Sequence, residues 1–346
     1  MIPALLYSKN LGSTTPGYSF DSYLSGRQYI FGMQLGAAYK INENVAVYGG
    51  VRVNYVWNKY EGSITNISAN INGTNYPLHE YFGTTANALE TQAKALRAQA
   101  QTITDPTTIA KLTAGAAQAE AGANAMRKQQ GEVQDKHLES TQTGWGVTPI
   151  IGVDVKLGKW NLASKLEFNT HLNIQNDTKR DDTGMFKHGV NTPNDIPGLL
   201  TLGAQYEITP EVRVMTGWHH YFDKSAKMAN DKQKLLKGDT NEFLLGAEWD
   251  VTDKILVSAG TQLTRYGLGN GAYLNDMSFV TSSYSIGFGA KFQVAKNMHV
   301  NVAYFWTNYE KFNKTTEATL GAAQVVNTDE FTRTNKAFGV GLDITF

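Results

Sequence analysis

Connections of two lengths alternate along most of this chain, and few folds permit that. Gly158-Lys159, Thr209-Pro210, Val251-Thr252-Asp253 and Ala295-Lys296-Asn297 each join two segments through a turn of two or three residues. Between those pairs lie long polar stretches, about 175–196, 223–239, 267–278 and 313–332. The paired segments are about 143–157 with 160–174, 197–208 with 211–222, 240–250 with 254–266, and 279–294 with 298–312. Each alternates apolar with polar or small residues, the period of a strand whose side chains point to opposite faces. Short turns on one side and long loops on the other describe an antiparallel barrel crossing a membrane. A two-sheet sandwich has no reason to sort its loops this way.

The chain end shows the same alternation. Phe346, Ile344, Leu342, Val340 and Phe338 share one face, and Thr345, Asp343, Gly341, Gly339 and Ala337 the other. Near the start, Tyr29, Phe31, Met33, Leu35, Ala37, Tyr39 and Ile41 face one way. The turn Asn42-Glu43-Asn44 leads into Val45, Val47, Val51, Val53, Tyr55 and Trp57. The expectation is an all-β transmembrane antiparallel β-barrel with eleven visible strands. Residues 1–26 read as loop, with Gly12, Pro16 and Gly17 among Ser and Thr. If the C-terminus lies on the short-turn side, the first visible strand runs inward and an outward strand must precede it. MIPALLYSKN also lacks the basic start and apolar run of a signal peptide. The chain is therefore expected to be an N-terminally truncated piece of one barrel domain, 1–346.

Composition narrows the alternatives. Among 346 residues the formal net charge is zero, which points away from nucleic acid and anionic membrane surfaces as partners. There is no cysteine. No apolar run approaches the ~20 residues of a membrane helix, whereas a barrel strand needs an apolar residue only at every second position. All six tryptophans fall in the apolar register. Trp160 and Trp249 lie beside short turns; Trp57, Trp145, Trp218 and Trp306 lie toward the long loops. Two aromatic belts at headgroup level are the expected result.

The opposite face carries Arg52, Asp154, Lys156, Lys165, Glu167, His171, Arg213, His219, Glu248, Lys291 and Asp343. Burying unpaired charge costs several kcal/mol even after relaxation, roughly per ion. That face therefore needs a wet lumen or dense ion pairing. Apolar residues share it: Ile30, Val56, Ile150, Met215, Leu244, Leu256 and Phe305. They are either filler among polar neighbours or a greasy track. Enzyme chemistry has little support. His171 and His219 have no nucleophile motif beside them, and no HExxH, CxxC or phosphate-cradling glycine loop occurs. Asp177, Asp181 and Asp182 share a loop, but their spacing matches no EF-hand. No cofactor or metal is expected.

One stretch, 83–140, reads as helix. Leu89, Ala93, Leu96, Ala100 and Ile103 fall at helical spacing, as do Ile109, Leu112, Ala116, Ala119, Ala123 and Met126. Asp105-Pro106 supplies an N-cap with proline at the first helical position. A helical hairpin inserted in an extracellular loop is expected, with the alanine-rich stripes facing each other.

Three stretches carry a resemblance to a known family: YIFGMQLGAAYKINENVAVYGGVRVNYVWNKYEG (29–62), NDIPGLLTLGAQYEITPEVRVMTGWHHYF (194–222) and the terminal AFGVGLDITF. The chain resembles the FadL/OmpP1/TodX group of outer-membrane transporters of long-chain fatty acids and other hydrophobic compounds. The resemblance implies a fourteen-stranded barrel in the Gram-negative outer membrane, of which three strands and an N-terminal hatch are missing here. It also implies a passive transporter without cofactor, with ligands leaving sideways through the wall. Its partners are a hydrophobic small molecule and outer-membrane lipid, not nucleic acid, and the protein is expected to be a monomer. On register, Ile30, Val56, Ile150, Leu244 and Phe305 form the candidate track, and Arg52 or Lys165 is placed to pair with a ligand carboxylate. The other reading is a general porin for small polar solutes.

Overall fold

The computed structural model describes residues 5–10, 18–275, 279–320 and 323–345. In chain order these form β1 (Leu5–Asn10), β2 (Tyr18–Lys40), β3 (Val45–Ile71), β4 (Thr74–Pro77), α1 (Leu78–Gln101) and α2 (Pro106–Glu132). Then come β5 (Lys136–Leu157), β6 (Trp160–Glu167), β7 (Asn173–Asp181), β8 (Asn191–Pro193), β9 (Leu199–Glu207) and β10 (Val212–Tyr221). After two short 3-10 turns at 223–235 follow β11 (Thr240–Thr252), β12 (Ile255–Arg265), β13 (Ser283–Ala295), β14 (Met298–Tyr309), β15 (Phe312–Leu320), β16 (Ala323–Phe331) and β17 (Thr334–Ile344). One antiparallel sheet holds most of them in the order β1-β2-β3-β5-β6-β9-β10-β11-β12-β13-β14-β17. No helix among the described residues is long and apolar enough to cross a membrane.

The eleven expected strands are β2, β3, β5, β6, β9 to β14 and β17, and β1 adds a twelfth on the path. Several boundaries differ from expectation. β2 begins at Tyr18, inside the stretch read as loop; Gly12, Pro16, Gly17 and the terminal Phe346 lie outside the described residues. The expected strand 160–174 is split into β6 and β7. The stretches expected as loops at 175–196 and 313–332 contain β8, most of β7 and the β15–β16 hairpin. For β7 and β8 the reason is strand length, whereas β15 and β16 pair only with each other as a separate hairpin. β3 has 27 residues and β5 has 22, against the ~9–11 that span a bilayer. β6 covers only Ile150–Leu157 of β5, and the free edge above it takes β7, from Leu138↔Asp181 to Trp145↔Asn173.

The helical insert is also displaced. Helix runs from Leu78 to Glu132 and β5 starts at Lys136, against the expected 83–140. Asp105 caps α2 as expected, its carboxylate accepting from Thr108 N at 2.9 Å. Ala86, Ala93, Ala116, Ala119 and Ala123 are buried between the helices. Such small side chains let the backbones approach closely but bury little area. Arg97–Glu120 at 2.7 Å and Arg127–Glu90 at 3.1 Å tie the exposed edges. Exposed pairs of this kind contribute about 0–1 kcal/mol each.

One face of the sheet is apolar and uncovered. Leu35, Val53, Trp145, Ile151, Trp160, Phe243, Leu245, Trp249, Phe288 and Val340 are all exposed on it, and Phe338 reaches 73% exposure. No second sheet packs over this face among the described residues. Aromatic pairs punctuate it, among them Tyr55–Trp145 with centroids at 4.7 Å and Trp160–Tyr206 at 4.7 Å. A water-exposed surface rarely carries apolar patches beyond a few hundred Å², roughly. This face is the apolar outer wall of the sheet.

Candidate functional site

The inner face is built in two parts: a glycine-floored trough in the wall and a larger cavity toward the long loops. The trough follows from register. Gly203 pairs with Gly217, Gly246 with Gly260, and Gly260 with Gly287, all on the inward side of β9 to β13. With no side chains there, the wall recedes. Met215, Leu244 and Phe305 border the recess, a hollow of about 510 Å³. A β-carbon added at Gly203 would meet nothing nearer than 4.0 Å, so its space is open.

The upper cavity, about 900 Å³, shares Gln262 and Phe305 with the trough. Ile30 of β2 and Ala337 of β17 both line it, so the sheet curls until its second strand shares a space with its last. Tyr221, Tyr266, Tyr309, Asp223, Thr240, Glu242 and Arg333 contribute the polar and aromatic lining. Burial pushes the Asp223 carboxyl above its ordinary value, and pushes the Tyr266 phenol well up. Above the cavity, three loops share a core of Leu236, Leu268, Tyr273, Leu274 and Phe331. Lys232 sits in the same cap, its ammonium 4.4 Å from the centre of the Tyr273 ring.

The structure sorts the residues selected from sequence. Leu244 and Phe305 meet in the trough, and Ile30 lines the cavity. Val56 and Ile150, at 0% and 1% exposure, are packed out of a ligand's reach. Val56 joins Leu172 and Ile174 in a small core against Ile30. Arg52 and Lys165 converge on one carboxylate, Glu167, at 2.7 and 2.8 Å. Both cations are therefore tied into the wall, and with one carboxylate between them the cluster keeps a net positive charge. Two more inward cations are paired in the same way: Arg213 with Asp250 at 2.7 Å and Glu248 at 3.3 Å, and Lys291 with Asp343 at 3.7 Å, while Asp154 accepts from Asn161 Nδ2 at 3.0 Å. Ion pairing, one of the two arrangements expected for this face, dominates its lower half.

His219 points inward and its Nδ1 lies 3.0 Å from Glu242. Tyr221 and Thr264 donate to the same carboxylate at 3.1 and 3.2 Å. His171 is held 3.1 Å from Asp195, which also accepts from Leu172 N and Lys227 N and so ties two loops together. Asp181 closes a turn by accepting from Thr183 and Phe186 N. The glycine ladder, Asp223 and Arg333 were not among the residues selected from sequence. The glycines carried a readable signal, since they recur at inward register in five strands. Asp223 and Arg333 lie just beyond strand ends, where alternation says nothing.

A curled antiparallel sheet, apolar outside and ion-paired inside, is the architecture of a transmembrane β-barrel. Among solved structures the chain is similar to a FadL homologue of Pseudomonas aeruginosa, with a TM-score of 0.58 at 10% identity over 96% of this chain and 76% of that one. It is also similar to the deltaS2 mutant of TodX, a monoaromatic hydrocarbon channel, with a TM-score of 0.51 at 12% identity over 97% of this chain and 81% of that one. The chain has the FadL/TodX fold. Neither a protein-family model nor a curated protein matches the sequence.

Proposed function

We propose that this protein carries hydrophobic small molecules passively across a Gram-negative outer membrane, as a monomer and without catalysis. The observation that carries the reading is the trough: an apolar recess floored by glycine backbone and bordered by Met215, Leu244 and Phe305. A wall lined only by ion pairs suits water and small polar solutes. Moving an alkyl chain through it would cost ~0.8 kcal/mol per exposed CH₂. A recess with no side chains offers van der Waals contact along its floor and removes part of that cost. The neighbours of the same fold support the substrate class, one being a FadL homologue and one a monoaromatic hydrocarbon channel. Arg52 and Lys165 share the one carboxylate of Glu167 and leave one positive charge there, so long-chain acids and compact neutral molecules both stay within the proposed substrate class.

The test uses purified protein in detergent and an apolar fluorescent probe displaced by toluene or by a long-chain fatty acid. Displacement by toluene that is lost in Gly203→Val, with unchanged unfolding temperature, supports the reading. Large steady conductance in planar bilayers with no displacement by either compound overturns it in favour of a porin.

A further inference from the structure

The upper cavity contains a carboxylate without a counter-ion. Asp223 Oδ2 accepts from Thr240 N at 2.8 Å. No cation lies within ion-pair distance of this carboxylate, among the described residues. The Thr240 hydroxyl, in a residue only 4% exposed, faces the same carboxylate and meets no other partner, so its lone pairs stay free. Both residues line the cavity, as do the Tyr221 and Tyr266 rings. Glu242 lies next to them, but its oxygens already take three donors.

A half-buried carboxylate with no cation beside it is costly unless an opposite charge or further donors arrive. Aromatic faces add attraction for a cation held over them. A ligand carboxylate brings neither donor nor opposite charge. A neutral hydroxyl brings one donor, while a primary ammonium brings three donors and the missing charge.

Resting on the transport reading above, we propose that the Asp223–Thr240 corner is a head-group subsite for hydrophobic primary amines, taken as ammonium ions with the apolar body directed into the trough. Asp223 supplies the counter-charge, Thr240 Oγ1 a second acceptor, and Tyr221 and Tyr266 the aromatic walls.

The test compares benzylamine, benzyl alcohol, benzoate and toluene as competitors of the apolar probe, on the purified full chain in detergent at pH 7. Benzylamine is expected to bind at least tenfold more tightly than benzoate and more tightly than benzyl alcohol. Asp223→Asn, which keeps an acceptor for Thr240 N, is expected to remove that preference and leave toluene unchanged. Thr240→Val is expected to weaken benzylamine a few-fold. Equal binding of the three polar heads, or a preference that survives Asp223→Asn, overturns the subsite while toluene binding leaves the transport reading intact. Asp223-dependent benzylamine binding without any toluene binding keeps the subsite and removes the transport reading. No binding of any competitor overturns both.

Discussion

Phe168 N donates to the Pro149 carbonyl at 3.0 Å, and the reciprocal bond that would continue the ladder cannot form because Pro149 has no N–H. β6 ends one residue earlier, at Glu167, and pairing with β5 resumes only at Trp145↔Asn173. In between, the chain comes close against the wall. A β-carbon added at Gly146 would stand 2.4 Å from Thr170 Cγ2 and 3.0 Å from the His171 carbonyl. Gly144 likewise faces the Asn173 carbonyl. Proline removes the bond and two glycines make room for what replaces it.

Gly146→Ala therefore overpacks this contact. The expected cost is about 1–3 kcal/mol, read as a lower unfolding temperature in detergent. Gly49→Ala, whose β-carbon would meet nothing within 4 Å, is expected to leave stability nearly unchanged. Equal behaviour of the two variants would remove the packing argument.

Leu245 is 61% exposed on the outer face, midway along β11. If lipid covers that face, Leu245→Lys costs about 2–4 kcal/mol. The measurement is folding stability in liposomes. Val340→Lys on β17 should behave similarly, whereas a water-covered face would tolerate both changes within about 0.5 kcal/mol.

Glu167→Gln leaves the Arg52 and Lys165 side chains without their shared anion. Loss of two charge-assisted bonds in a partly exposed setting is expected to cost about 1–3 kcal/mol. Two uncompensated cations in the lumen should also shift the reversal potential in a salt gradient toward anion selectivity. Unchanged selectivity would place the triad away from the permeation route.

The Thr108 hydroxyl and N–H hold the Asp105 carboxyl below the usual carboxylate range. A group of depressed pKa adds stability above its unfolded value of about 3.9, and that contribution is lost as pH falls through the folded value. Hydrogen exchange, corrected for intrinsic rates, should show weaker protection in the first turn of α2 at pH 3 than at pH 6. Asp105→Asn, which can still cap, should flatten the dependence.

Alternation alone located the eleven long strands, because a period of two is a local property that each strand carries by itself. The same period separated the uncovered apolar face from the ion-paired one, and Asp105-Pro106 marked the start of α2. Partnership was not legible. That Arg52 and Lys165 share Glu167, that Val56 is sealed by Leu172, and that five strands align their glycines into one trough all depend on which residues face each other across strands. Sequence periodicity carries no information on register between strands. Asp223 and Arg333 stand outside every alternating segment, and only the curl of the sheet and the cap of loops bring them to one cavity.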